Sequence, residues 1–175
     1  MQKITVTQLL AEYAGGRRDF SRVDLSQADL FECSLSEINL QESDLTGAYL
    51  PYANLSRANL RGAKLAGAEL SNARLQTAVL SQANLIQANL LHAELWQADL
   101  QAANLYRANL HGADLRQANL ENADLSRADL SRADLKQAKL EGANLRQCNL
   151  FRAIVNLDVA IYDETTILPD GHRKL

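Results

Sequence analysis

Leucine returns at every fifth position of this chain from Leu25 to Leu150, which makes 26 consecutive occurrences. A second recurring residue, usually small, stands two positions before each of these leucines, and it is alanine at every such position from Ala48 to Ala143. The departures from alanine outside that range are Val23, Cys33, Ile38, Ser43 and Cys148. The residue between the two is usually polar, most often Asp or Asn. The unit therefore reads Ala-(Asp/Asn)-Leu-x-x, and Phe20 and Val155 extend the register at its two ends.

A five-residue period excludes the usual regular elements. Five residues turn an α-helix by about 500°, so the leucines would spiral around its whole surface. In a strand, whose side chains alternate with period two, successive leucines would point to opposite faces. The chain must instead turn a corner in every unit and wind around one axis, with leucine and alanine both pointing inward. This pattern predicts a solenoid.

The run of Ala-(Asp/Asn)-Leu-x-x units over about residues 20–155 resembles the pentapeptide-repeat family. The resemblance implies an all-β fold, a right-handed quadrilateral parallel β-helix, with four units on each coil and nearly seven coils. We expect the Asp or Asn of each unit to lie at a corner, where its short side chain bonds nearby backbone groups.

The two ends of a β-helix expose backbone and core, so each end needs a cover. We expect residues 1–19 to form an N-terminal capping helix and leader, with a short helix over 7–14 that begins at Thr7 and stops at Gly15 and Gly16. Residues 20–155 form the repeat domain, and 156–175 are the expected C-terminal cap or tail, which resembles the tails of cyanobacterial family members. Four apolar residues of the tail are expected over the last coil: Ile161, Tyr162, Ile167 and Leu168. This capping favours a monomer or a weak dimer.

Composition and charge restrict the classes of partner that this chain is expected to bind. Most of the 32 Leu and 27 Ala occupy the two inward positions of the repeat. The net charge of -3 and the pI near 5.6 make direct nucleic-acid binding unexpected. Residues 22–45 carry six acids and one base, whereas residues 127–152 carry six bases and three acids. No apolar run approaches the roughly 18–20 residues of a membrane helix, and no signal peptide is evident, so we expect a cytoplasmic protein without membrane contact.

Candidate chemistry is sparse, so the sequence does not indicate an enzyme or a cofactor. His92 and His111 should be diagonal neighbours on adjacent coils, but too few further ligands surround them for a metal site. Cys33 and Cys148 replace inward alanines, should be buried, and lie too far apart along the rod to form a disulfide.

The residues that distinguish this chain from a uniform repeat are therefore expected on the outer surface. Apolar side chains at outward positions cluster in one stretch of the sequence, and we interpret four of them as a candidate partner-binding patch: Ile86, Leu91, Trp96 and Tyr106. Phe31, Pro51 and Tyr52 form a weaker second candidate near the N-terminal end. The alternative interpretation is that these are scattered surface residues without a role.

The sequence favours a non-catalytic protein–protein interaction scaffold with an unidentified protein partner. The resemblance implies a regulatory role in a cyanobacterium-like cell, since similar proteins affect heterocyst development. The alternative is a DNA-mimicking modulator of a type II topoisomerase (gyrase), which would need an acidic stripe along the rod. In residues 20–155 the 13 bases nearly balance the 15 acids, which makes this alternative less favoured.

Overall fold

The computed structural model describes residues 1–173 and shows a right-handed, four-sided parallel β-helix. Parallel bridges join residues twenty positions apart, from Asp19 with Asn39 to Asp134 with Ile154. This register places four five-residue units on each coil and confirms the expected fold class. The last two residues of the predicted tail, 174 and 175, lie outside the described residues.

Each unit supplies one side of the rod, and we number the sides by their leucines. The first side runs through Leu25 and Leu45, the second through Leu30 and Leu50, the third through Leu35 and Leu55, and the fourth through Leu40 and Leu60. Residues ten positions apart therefore lie on opposite sides of the rod, half a coil from each other.

The core consists of the two inward columns that the period predicts. Every repeat leucine from Leu25 to Leu150 is no more than 2% exposed, and nearly all the inward alanines are buried as well. Phe20, which extends the leucine register, is also fully buried. The small alanine leaves room for the leucines of the facing sides, so leucine fills most of a compact interior.

The corners are formed by the two residues that follow each leucine. The N–H of the inward alanine donates back across the corner, as from Ala48 to the carbonyl oxygen of Leu45 at 3.0 Å. The second corner residue has a positive φ, +59° at Arg57 and +63° at Gly67. A closing bond of this kind with a left-handed third residue is typical of a type II turn.

The predicted corner position of Asp and Asn was therefore wrong. These residues lie on the flat sides, where their backbone forms the bridges between coils. Their side chains accept from the N–H two positions on, as when Ser26 N donates to Asp24 Oδ1 at 2.9 Å. That N–H belongs to the first corner residue, which has no backbone acceptor in the described ladder, so the short side chain supplies the missing acceptor.

The N-terminal end is covered by a strand and a helix. Strand β1 (Gln2–Lys3) pairs in parallel with β2 (Val23–Asp24), and α1 spans Val6–Ala14. The helix begins after Thr5 rather than at the predicted Thr7, because the extended Thr5 leads out of β1 and its side chain accepts from Gln8 N at 3.1 Å. Leu9 is fully buried, so α1 caps the first coil as expected.

The C-terminal end continues the parallel ladder at a changed spacing. Ile161 bridges to Asn144 and Ile167 to Asn149, which shortens the register from 20 to 17 and 18 residues. Thr166 is fully buried and its hydroxyl donates to the carbonyl oxygen of Leu145 at 2.9 Å. The backbone of the tail thus lies over the last full coil. The division of the chain at residues 19 and 155 stays a prediction.

Candidate functional site

The four residues of the predicted patch lie on three sides of the rod. Ile86 and Tyr106 are on the first side in one column, Leu91 is on the second, and Trp96 is on the third. Trp96 is ten residues from both Ile86 and Tyr106, so it lies on the opposite side of the rod from them. The structure brings Ile86 and Tyr106 together on adjacent coils, and it does not bring all four to one surface.

Tyr106 is held by two arginines rather than projecting freely. Arg127 Nη1 donates to Tyr106 Oη at 3.1 Å, and the guanidinium carbons of Arg107 and Arg127 lie 5.2 and 5.8 Å from the ring centroid. These cation–π contacts fix the ring against the first side. Ile86 and Tyr106 are both half-buried, so they form a small apolar area bordered by two positive charges.

Trp96 is more exposed than the other three residues, with 38% of its surface accessible. Arg116 follows it in the same column, one coil further on. Arg116 donates through Nε and Nη2 to both carboxylate oxygens of Asp114, at 2.7 and 2.6 Å. These hydrogen bonds lower the pKa of Asp114 and tie the arginine to its own side of the rod. Among the described residues no aromatic ring or guanidinium stacks on Trp96, and the Arg116–Asp114 ion pair lies one coil further on.

His92 and His111 are neighbours on adjacent coils, as predicted. Their ring centroids are 5.7 Å apart with an interplanar angle of 72°. His111 Nδ1 lies 2.8 Å from Ser131 Oγ, and His92 Nδ1 lies 3.5 Å from the carbonyl oxygen of Gly112. Within residues 1–173 no group of three or more His, Cys, Asp or Glu side chains could hold a metal ion.

The two cysteines differ in environment, which corrects the expectation that both are buried. Cys148 is fully buried, its Sγ donates to the carbonyl oxygen of Leu125 at 2.6 Å, and burial raises the pKa of its thiol to about 12. Cys33 is only partly buried, although burial still raises the pKa of its thiol. Cys33 lies on the first coil, which has a capping segment instead of a full coil on its outer side.

Three aromatic rings meet on the second side near the N-terminal end. Phe31 stacks on Tyr49 with ring centroids 6.1 Å apart, and it meets Tyr52 edge-on at the same distance. We call Phe31, Tyr49 and Tyr52 the aromatic cluster. Their exposed fractions are 44%, 47% and 55%. The sequence analysis indicated Phe31 and Tyr52 but missed Tyr49. The signal that could have identified Tyr49 is an aromatic residue at a position that Asp or Asn commonly occupies. Pro51, the third predicted member, is buried.

Ion pairs between coils reduce the acidic character of the N-terminal end. Glu42 pairs with Arg22 at 2.8 Å, Glu37 with Arg57 at 3.2 Å, and Asp44 with Lys64 at 3.8 Å. The hydrogen bond from Arg22 lowers the pKa of Glu42. Three of the six acids in residues 22–45 are thereby matched by bases, and the acids that have no ion-pair partner among the described residues are Asp24, Asp29 and Glu32.

A cavity of about 440 Å³ lies between the first coil and the N-terminal segment. Lys3 and Asp24 bring its charged groups, whereas Ile4, Val6 and Leu25 bring apolar surface. It contains no histidine or cysteine, and its one carboxylate and one ammonium lie in neighbouring strands. This mixed lining gives no grounds for assigning acid–base chemistry to the cavity.

Comparison with known protein families classifies the chain. The model of pentapeptide repeats matches eight copies, over residues 19–51, 38–76, 78–117 and 113–150. The chain belongs to the pentapeptide repeat family. A search of curated protein sequences finds no match to this pentapeptide repeat protein.

Solved structures of other pentapeptide repeat proteins are similar to this one. HetL of Nostoc sp. strain PCC 7120, described as involved in heterocyst differentiation regulation, is 30% identical; the match covers 98% of this chain and 100% of HetL, with a TM-score of 0.47. Rfr23 of the cyanobacterium Cyanothece 51142 is 26% identical over 80% of this chain and 90% of its own, also with a TM-score of 0.47. QnrB1, a plasmid-mediated fluoroquinolone resistance protein, is 21% identical over 86% of this chain and 81% of its own, with a TM-score of 0.55, a likeness of fold alone.

Among the described residues of this pentapeptide repeat protein, no helix is long and apolar enough to cross a bilayer.

Proposed function

We propose that this pentapeptide repeat protein is a non-catalytic scaffold for protein–protein interaction. The observation that carries the proposal is the division between the core and the outer surface. The inward leucines and alanines fill the interior almost completely, so the exposed or half-exposed aromatic side chains on the outside are not needed to complete it. Exposed Tyr and Trp side chains are enriched at the energetic centres of protein interfaces.

The rigidity of the rod supports this role. Backbone hydrogen bonds of 2.7–3.1 Å join the coils along the repeats, and side-chain ladders such as Gln97 to Gln117 to Gln137, at 2.7 and 2.9 Å, add further links. A solenoid of this kind presents long flat surfaces whose shape does not change on binding, so little conformational entropy is lost when a partner docks.

A regulatory role is supported by the relatives rather than by the geometry. HetL, 30% identical over nearly the whole chain, is described as involved in heterocyst differentiation regulation. We extend that class of role to this chain: a regulator in a cyanobacterium-like cell that acts by contacting another protein. The proposed partner-binding residues are those that the sequence predicts, and they lie on three sides of the rod: Ile86, Leu91, Trp96 and Tyr106.

The test is capture of partners by the immobilised full chain from the native cell, identified by mass spectrometry. Three variants separate the sides: Ile86→Ala with Tyr106→Ala on the first side, Trp96→Ala on the third, and Gln82→Ala as an exposed polar control. We expect one apolar variant to lose a specific protein that the wild type and the control retain. The proposal fails if the wild type captures no protein specifically, or if no apolar variant changes the captured set.

The surface charge weighs against the DNA-mimic alternative. A mimic of DNA needs a continuous row of unpaired carboxylates, whereas on this rod bases of adjacent coils pair with Glu37, Glu42 and Asp44. A gyrase supercoiling assay discriminates between the two functions. Inhibition at low micromolar protein would favour the mimic, and full activity of gyrase would support the scaffold.

A further inference from the structure

Carboxylates lie in the same columns as two exposed rings of the aromatic cluster, one coil away. Asp29 bridges to Tyr49 on the adjacent coil, and Glu32 precedes Tyr52 by one full coil in the same column. Asp29 Oδ1 accepts from Phe31 N at 3.1 Å, which fixes this carboxylate next to the stacked rings. The surface thus alternates negative charge and aromatic faces across two coils of the second side.

We propose that the aromatic cluster, with Asp29 and Glu32, is a docking site for an arginine-bearing segment of a protein partner. This inference rests on the scaffold function proposed above and names the chemistry that one of its surfaces recognises. A guanidinium is planar and positively charged, so it can stack on an aromatic face while it donates to a carboxylate beside the ring.

Four of the other aromatic rings show how this chain uses its own arginines. Guanidinium carbons lie over four rings at 4.0–5.8 Å from the ring centroids: Arg18 over Tyr13, Arg17 over Phe20, Arg107 and Arg127 over Tyr106, and Arg152 over Phe151. Within residues 1–173 no guanidinium covers Phe31, Tyr49 or Tyr52. Asp29 and Glu32 likewise have no basic partner there. The cluster therefore has the ring faces and the carboxylates of an arginine site but not the arginine.

The repeat itself does not require these rings. Leu30, Ala48 and Leu50 fill the interior beneath this part of the second side and have no exposed surface. Tyr49 replaces the Asp or Asn that elsewhere accepts from the first corner residue. Here that residue is Pro51, which has no N–H to donate, so the acceptor is unnecessary and the position is free to carry a ring.

A second copy of this chain is the competing occupant. The C-terminal part of the second side carries Arg132 and Arg152, neither of which has a carboxylate partner among the described residues. Arg152, however, already lies over Phe151, 5.0 Å from its centroid. The aromatic cluster itself spans only two coils on one of the four sides, a small part of the 8280 Å² of accessible surface and less than the roughly 800 Å² per partner that a stable interface buries. A short peptide segment fits a patch of two coils better.

The experiment measures binding of an amidated peptide of alternating Gly and Arg to the full chain by isothermal titration calorimetry, with an equal-length Gly–Glu peptide as the matched probe. We expect the Arg peptide to bind and to weaken as salt rises, and the Glu peptide not to bind. Tyr49→Ala with Tyr52→Ala should weaken the Arg peptide about tenfold, since each exposed cation–π contact contributes about a two- to fivefold effect. Asp29→Asn, which keeps the Oδ1 acceptor, should weaken it less.

Phe151→Ala is the control, because it removes a comparably exposed ring on the same side of the rod whose face Arg152 already covers. It should leave the affinity for the Arg peptide unchanged. The proposal is overturned if the double tyrosine variant binds like the wild type, if Phe151→Ala weakens binding as much, or if the two peptides bind equally. The removed side chains are exposed, so circular dichroism and the thermal midpoint of the variants should match the wild type.

Sedimentation velocity distinguishes a second copy of this chain from a peptide segment as the occupant of the aromatic cluster. A dimer that is lost in the double tyrosine variant would assign the cluster to a second copy and overturn the peptide proposal, whereas an unchanged sedimentation coefficient supports it. Failure of this site is also separable from failure of the scaffold function. If only this site fails, the wild type and the double tyrosine variant would still capture the same cellular partner. That partner would instead be lost from the variant of Ile86 and Tyr106 or from the variant of Trp96.

Discussion

The hydroxyl of Ser43 donates to the carbonyl oxygen of Phe20 at 3.0 Å and accepts from the N–H of Val23 at 3.2 Å. Ser43 occupies an inward position and has no exposed surface, although alanine is the residue of most other units. Cys148 makes the corresponding contact near the other end, to the carbonyl oxygen of Leu125. A polar atom is therefore accommodated in this core where a carbonyl of the preceding coil accepts its proton.

Ser43→Ala should lower the free energy of unfolding by about 1–3 kcal/mol, because the carbonyl of Phe20 loses its partner in a buried site. Urea unfolding followed by circular dichroism measures this. Ser34→Ala is the control, since Ser34 is exposed, and it should change stability by less than about 0.5 kcal/mol. Equal effects of the two substitutions would show that the buried hydrogen bonds of Ser43 contribute nothing.

Leu100→Ala should cost about 2–5 kcal/mol, because Leu100 is fully buried and the rigid coils on either side cannot collapse into the cavity. Leu10→Ala provides the same chemical change on α1, where the side chain is 36% exposed. The midpoint of urea unfolding should fall markedly in the first variant and little in the second. A small effect at Leu100 would contradict close packing of the core.

Gly67→Ala tests the cost of the left-handed corner. Gly67 has a φ of +63°, and an added Cβ would meet no atom within 4 Å, so only the backbone conformation opposes the substitution. We expect a loss of about 1–2 kcal/mol in the free energy of unfolding. Gly67→Asn should lose less, since Asn adopts this conformation more readily. The interpretation is wrong if Asn destabilises more than Ala.

The two thiols should react at different rates. At pH 8, a maleimide followed by intact-mass spectrometry should label Cys33 first, whereas Cys148 should react only after unfolding, because burial raises its pKa to about 12 and encloses the sulfur. Cys33→Ala isolates the slow thiol, and Cys148→Ala the fast one. Rapid labelling of Cys148 in the native protein would contradict its burial.

The buried thiol of Cys148 should make the stability of the protein depend on pH. The folded state holds the proton of Cys148 up to about pH 12, whereas the unfolded thiol loses it near the ordinary value of 9.0. Its contribution to stability is therefore complete below pH 9 and is lost as the pH rises from 9 towards 12. Cys148→Ala should flatten the decline of the unfolding midpoint over that interval, and an unchanged decline would assign it to other groups.

The interpretation of the sequence succeeded where the physics is periodic and local. The inward leucines and alanines follow from the five-residue unit, and the neighbouring His92 and His111 follow once the family resemblance supplies four units per coil. The capping of the first coil by α1 follows instead from helix signals in the residues that precede the repeats. The corner was misassigned because the sequence shows that Asp and Asn prefer hydrogen bonds to nearby backbone. It does not show which backbone N–H lacks a partner.

The candidate patch shows a second feature that the sequence does not specify, namely which outward side chains lie on the same side of the rod. Ile86, Leu91, Trp96 and Tyr106 are close in sequence, yet the rod turns by half a coil in ten residues and places Trp96 opposite Tyr106. Conversely, Phe31 and Tyr49 are separated by 18 positions, and their rings stack. Proximity on this surface is decided by the coil and by side-chain rotamers.

The sequence by itself determined the solenoid and its core, because only one winding of the backbone points a residue inward every five positions. The tertiary structure alone decided which outward side chains share a surface and which already have partners. Tyr106 lies under arginines of its own chain, whereas the aromatic cluster has carboxylates beside it and, among the described residues, no guanidinium over its rings. The reason is physical: contacts across coils depend on residues about twenty positions away and on the directions of their side chains, which a repeating unit does not specify.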